Sequence, residues 1–109
     1  MNTLKYSLEY RCYPIWNYDQ DGVLIDNDLP DELRSDDELD SLLIQLQELF
    51  DALFIDTPKE FSTHGFSTET ERQNFLALLF ASKNLLCQRY GEKYHIECKY
   101  TTDSFPLDT

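Results

Sequence analysis

One short segment places oxygen-bearing side chains at metal-ligand spacing. With Gly22 at the sixth position of a calcium loop, Asn17, Asp19 and Asp21 take positions one, three and five, Ile25 takes nine and Asp28 takes twelve. Such a loop wants Asp first, a bidentate Glu last and a helix on each side. Here an extended run precedes it, Asp replaces Glu, and Leu29-Pro30 follows. Asp21-Gly22 between the apolar runs Ile15–Tyr18 and Val23–Ile25 reads more simply as the turn of a hairpin. A small calcium-binding domain is therefore the minor alternative.

The other reactive side chains lack catalytic context. His64 and His95 have no partner at metal spacing. Cys12, Cys87 and Cys98 form no CxxC pair and read as buried reduced thiols. No serine lies in a GxSxG frame, and three glycines leave no room for a phosphate loop. Carboxylates are too abundant for any pair to mark general acid–base chemistry. The expectation is a protein without catalytic residues, metal or cofactor.

Those carboxylates are unevenly distributed. Between Asp19 and Asp56 stand thirteen acids and one base, Arg34; the remaining acids and bases cancel, so the whole formal charge of −12 lies in this stretch. Charge of that sign repels nucleic acid and anionic membranes, and its complement is a basic protein surface. Tyr13, Trp16 and Tyr18 adjoin it, residue types that anchor interfaces and accept cations over their rings. The candidate partner-binding residues are Asp19, Asp21, Asp26, Asp28, Asp37, Asp40, Glu48 and Asp51, with Trp16 and Tyr18.

The positioning elements follow from periodicity. Leu4, Tyr6, Leu8, Tyr10 and Cys12 alternate with polar residues and predict a strand over 4–13. The hairpin 15–18/23–26 follows. Ser35 and Glu38 form a capping box that opens a helix running to about Phe54, with Leu39, Leu42, Leu43, Leu46, Leu49, Phe50 and Leu53 on one face. Its opposite face carries Asp37, Asp40, Gln47, Glu48 and Asp51. Residues 59–66 suggest a short strand. Thr68 and Glu71 cap a second helix over 69–90, with Gly91 as a left-handed terminator. An exposed part of that helix's broad apolar stripe would serve as a homodimer face. Residues 94–100 alternate as a final strand, and the polar tail 101–109 is expected to fray. The fold class is α+β: a two-layer sandwich, mainly antiparallel sheet with two helices on one face, in a single domain. No run is apolar enough to cross a membrane and no secretion signal is visible, which points to the cytoplasm.

Taken together, Tyr6-Ser-Leu-Glu-Tyr-Arg-Cys-Tyr-Pro-Ile-Trp16, Asp26-Asn-Asp-Leu-Pro30 and the Gly65-Phe66 step before the second cap, on a small acidic non-catalytic chain, resemble the immunity proteins of bacterial polymorphic toxins, of the contact-dependent or LXG type. The resemblance is a general profile over residues 4–100 and carries no signature residue across. It implies binding to the C-terminal domain of a cognate toxin, often a nuclease with a basic cleft. An acidic adaptor or regulatory module is the alternative.

Overall fold

The computed structural model describes residues 1–108; Thr109 lies outside the described residues. Strands β1 (Thr3–Tyr6), β2 (Ile15–Tyr18) and β3 (Leu24–Asp26) precede a 3-10 turn at Asp31–Leu33 and helix α1 (Asp37–Asp51). Strands β4 (Phe54–Thr57) and β5 (Glu60–Thr63), helix α2 (Glu69–Tyr90) and strand β6 (His95–Glu97) complete the order. The main sheet runs β3-β2-β1-β6. Its β1–β2 and β2–β3 pairs are antiparallel, and β6 returns parallel to β1. The second sheet is the β4–β5 hairpin alone.

Alternation decides which face of the main sheet is covered. Leu4 and Tyr6 on β1, and Ile15 and Asn17 on β2, are buried, while their neighbours are only half-buried. Pairing of Leu4 with Asn17 and Tyr6 with Ile15 puts all four on one side. Leu39, Leu43 and Leu46 of α1 and Phe75, Leu79 and Leu86 of α2 close the same core, joined by Leu29 and Leu33. Each such side chain contributes roughly 1.5–3 kcal/mol by leaving water. Tyr6 and Ser82 share a buried hydrogen bond of 2.9 Å, which fixes α2 against β1. This is the expected α+β sandwich with a mainly antiparallel sheet, to which β6 adds one parallel pair.

Several boundaries differ from the sequence reading. The strand expected over 4–13 stops at Tyr6. Ser7 N–H donates to the Pro14 carbonyl at 3.0 Å, closing a loop in which Arg11 holds a left-handed φ of 58°. The alternation of Tyr10 and Cys12 therefore belongs to a loop. The cap of α1 is Asp36, whose carboxylate accepts from Leu39 N–H at 3.2 Å, one residue later than the expected Ser35. Helix α1 ends at Asp51 because Phe54 and Ile55 pair with Thr63 and Ser62 in the β4–β5 hairpin, whose first strand the apolar helical pattern concealed. Gly91 is right-handed at φ −64°. Cys87 is exposed, and Cys12 and Cys98 are half-buried.

The segment 101–108, expected to fray, is docked. Phe105 is buried against Phe75 and Tyr100, with ring centroids 4.7 and 5.1 Å away. Arg72 Nε donates to the Phe105 carbonyl at 2.7 Å, and its guanidinium also reaches the Thr102 carbonyl. Phe66 and Leu107 form a parallel bridge. Gly65 permits that approach: a Cβ there would stand 2.7 Å from the Pro106 carbonyl oxygen.

Candidate partner-binding surface

The β2–β3 turn is built by its first acid. Asp19 Oδ1 accepts from the Asp21 and Val23 amides, each at 2.9 Å, and Gly22 supplies φ 81°. Strands flank this turn on both sides. Asn17, first in the calcium template, is 5% exposed on the inner face of β2 and so turned away from the turn's acids. Among the described residues no group of three or more His, Cys, Asp or Glu is placed to hold a metal. Asp21 itself is exposed at the tip. Trp16 and Tyr18 lie half-buried on the sheet face away from the core, and Trp16 Nε1 donates to the Ser7 carbonyl at 2.9 Å.

At the far end of β3 from the turn, Arg34 gathers three acids. Its guanidinium lies 3.3 Å from Asp26, 3.5 Å from Asp28 and 2.9 Å from Asp31, and its Nε donates to the Leu29 carbonyl. These partners are largely solvated, so each pair is worth little in stability. Their effect is local: the one base in the acidic stretch offsets charge at Asp26 and Asp28.

The outer face of α1 holds the loop 7–14. Tyr13 Oη donates to Asp40 Oδ1 at 2.7 Å, and Arg11 N–H donates to Asp51 Oδ1 at 2.9 Å. Gln47 Nε2 bridges Asp51, at 2.6 Å, and the Glu9 carbonyl, at 2.9 Å. Asn27 grips the same loop from the other side, accepting from Tyr13 N–H and donating to the Tyr13 and Ile15 carbonyls. Burial, and next the hydrogen bond and charge of Asp40, hold the Tyr13 hydroxyl protonated far above its ordinary range. A cavity of about 320 Å³ opens here between Arg11, Tyr13, Ile44, Gln47, Glu48 and Asp51.

Other acids of the stretch join elements together. Asp36 receives two bonds from Arg89 Nη1, at 2.9 and 3.0 Å, and one from Tyr90 Oη at 2.6 Å. Burial works against its charge, but the Tyr90, Leu39 and Arg89 donors outweigh this and hold the carboxyl below the ordinary range. Glu38 meets the same Arg89, and Tyr94 donates to Glu32. Tyr10 donates to Asp56 at 3.3 Å.

The ten sequence candidates thus divide by what they touch. Asp19 shapes a turn, Asp26 and Asp28 meet Arg34, and Asp40 and Asp51 hold a loop. Trp16 is tied to Ser7, and Tyr18 lies beside it. Asp21, Asp37 and Glu48 are exposed, with no ion pair and no hydrogen bond to their carboxylates among the described residues. All ten belong to one stretch of chain from β2 to the last turn of α1, but in four groups: the outer sheet face with Trp16 and Tyr18, the turn tip, the Arg34 cluster and the helix face.

Two exposed apolar features escaped the sequence reading. Val23, just before β3, and Leu24 and Ile25 on it are 59%, 46% and 52% exposed. Three successive apolar residues in a hairpin arm, without polar alternation, were the available signal. Phe61, 63% exposed, stacks on Phe54 beside Tyr10 and Phe50. On α2, Phe75, Leu76, Leu79 and Leu86 are buried, while Leu78, Phe80 and Leu85 are half-buried.

No helix among the described residues is long and apolar enough to cross a membrane. Compared with known proteins, residues 2–101 match the model of a family described as Serratia CdiI immunity protein-like. No curated protein matches the chain.

Proposed function

The chain belongs to the Serratia CdiI immunity protein-like family, and from that premise we propose which toxin chemistry it neutralises and how. The target is a nuclease domain at the C-terminus of the cognate toxin. The acidic surface of residues 19–56 covers that domain's basic substrate cleft, in the cytoplasm of the cell that makes both proteins. The action is stoichiometric binding, with no turnover and no cofactor.

One observation carries this reading: the entire net charge of −12 falls between Asp19 and Asp56. A nuclease cleft is basic because it must hold phosphates, so a carboxylate-rich surface competes for the same contacts. Long-range attraction raises the association rate, by roughly 10- to 1000-fold in favourable cases. Contacts by Trp16 and Tyr18 would then slow dissociation. Asp21, Asp37 and Glu48 support the steering role most directly, because among the described residues no basic side chain pairs with them.

The test is co-expression with the C-terminal domain of the cognate toxin. Rescue of growth and co-purification support the reading. Nucleic acid left intact in rescued cells, and degraded without this chain, supports the nuclease assignment. A domain that kills without cleaving nucleic acid would overturn that assignment while leaving the immunity function in place.

A further inference from the structure

β3 ends the main sheet, and among the described residues only β2 pairs with it. Asp19 N–H donates to the Val23 carbonyl at 2.9 Å, so the backbone groups of Val23 point toward β2. By the period of two, those of Leu24 point to the open side. Edge strands are ordinarily guarded by Lys, Pro or a covering segment. The central run Val23-Leu24-Ile25 carries no Lys or Pro and its three side chains are exposed, although β3 is only three residues long and its register shifts opposite Asn17 and Tyr18.

The flanking charge selects what can pair there. Asp19 and Asp21 precede the run, and Asp26 and Asp28, each partly offset by Arg34, follow it. In a second copy paired antiparallel about Leu24, Asp21 of each chain would approach Asp26 and Asp28 of the other, and like charges across a strand pair are destabilising. A strand with an apolar centre and Lys or Arg at its ends meets every one of these features.

We infer that β3 is a docking edge for an extended segment of the toxin domain, apolar in its middle and basic at its ends, which adds a fifth strand beside Leu24. This rests on the toxin-binding reading above and locates where on the chain the contact is made.

The experiment uses the full chain and the catalytically inactivated C-terminal domain of its cognate toxin. Leu24→Pro removes the outward N–H at an exposed edge, where proline is tolerated; Leu24→Ala keeps that N–H. The proline variant should bind at least tenfold more weakly and the alanine variant less than about threefold, the difference expected for lost main-chain hydrogen bonds. In the wild-type complex the Leu24 amide should exchange with deuterium at least about tenfold more slowly than in the free protein. A folded Leu24→Pro variant with wild-type affinity, or an unprotected Leu24 amide in the complex, overturns the inference. Should Leu24→Pro fail to fold, the exchange measurement on the wild type decides alone. A wild-type dimer that Leu24→Pro dissociates would also overturn it, by making the edge a self-interface. Binding and rescue by the wild type with no effect at Leu24 refute this edge alone; absence of any binding or rescue refutes the toxin-binding reading itself.

Discussion

Tyr13 Oη donates to Asp40 Oδ1 at 2.7 Å, joining residues 27 apart in the chain. This bond, with Arg11 N–H on Asp51, fastens the loop 7–14 to the acidic face of α1. The carboxylates that give this face its charge therefore also set its shape. Substituting Asp40 or Asp51 changes both properties, whereas substituting Glu48 changes charge alone.

Removing the hydroxyl should expose that dual role. Tyr13→Phe leaves the ring in place but withdraws one donor from a charged acceptor, at a cost of about 1.5–3 kcal/mol. Glu48→Gln, at an exposed site, should stay within about 0.5 kcal/mol of wild type. Urea unfolding followed by circular dichroism separates them. Equal midpoints for the two variants would show that the Tyr13–Asp40 bond contributes nothing to holding the loop.

Alkali should unfold the protein through its buried tyrosines. Burial, only partly offset by the Ser82 bond, raises the Tyr6 hydroxyl well above its ordinary value of 10.0. Tyr13 is raised further, again chiefly by burial. Tyr94 is pushed up to about 12 by burial and then by Glu32. A raised folded value means that the native state holds the proton more tightly. Its contribution is complete below pH 10 and declines as pH rises from there toward the folded values. Ultraviolet titration should therefore show these three ionising late, together with loss of the circular dichroism signal. Ionisation of all seven tyrosines near pH 10 in a still-folded protein would contradict the packing described.

How much of this was legible in the sequence depended on the range of the interaction. Helices α1 and α2 were readable because their apolar spacing repeats over 15 and 22 residues. Thr68 was correctly identifiable as a cap, accepting from Glu71 N–H at 3.1 Å. At α1, Ser35 and Asp36 are both competent acceptors, and Arg89 with Tyr90 of the distant α2 favours Asp36. Local pattern could not reveal that choice. The β4 strand was hidden because Leu53, Phe54 and Ile55 continue an apolar run whose helical and extended readings look alike at that length. Counting charge located the acidic stretch, but the donors of Tyr13, Tyr90 and Tyr94 come from 27 to 62 residues away. Hence the division between structural acids and unpartnered ones was visible only in three dimensions.

Asp36 should be the most costly acid to lose. Asp36→Ala removes a helix cap and the bonds from Arg89 and Tyr90, together about 2–4 kcal/mol. Ser35→Ala should fall within about 0.5 kcal/mol. Because the folded carboxyl lies below its ordinary value of 3.8, its stabilisation is present above that pH and is lost as pH falls through the depressed folded value. The gap between wild type and Asp36→Ala should accordingly be widest near neutrality and shrink at pH 3 and below. A gap unchanged by acid would mean that the ionised carboxylate is not the stabilising species.

The C-terminal segment should behave as part of the core. Phe105 closes one end of it over Phe75, and Arg72 reaches across to two of the segment's carbonyls. Phe105→Ala should cost about 3–5 kcal/mol, the range for an aromatic removed from a core. Truncation after Tyr100 should cost at least as much, since it also strips Phe66 of its bridge to Leu107 and leaves Arg72 without those acceptors. Gly65→Ala should reproduce part of the loss, because its Cβ displaces the same segment from Pro106 onward. Thermal melting of the three variants makes the comparison. A truncated chain that melts with the wild type would place residues 101–108 outside the cooperative unit and return the segment to the frayed tail its polarity suggested.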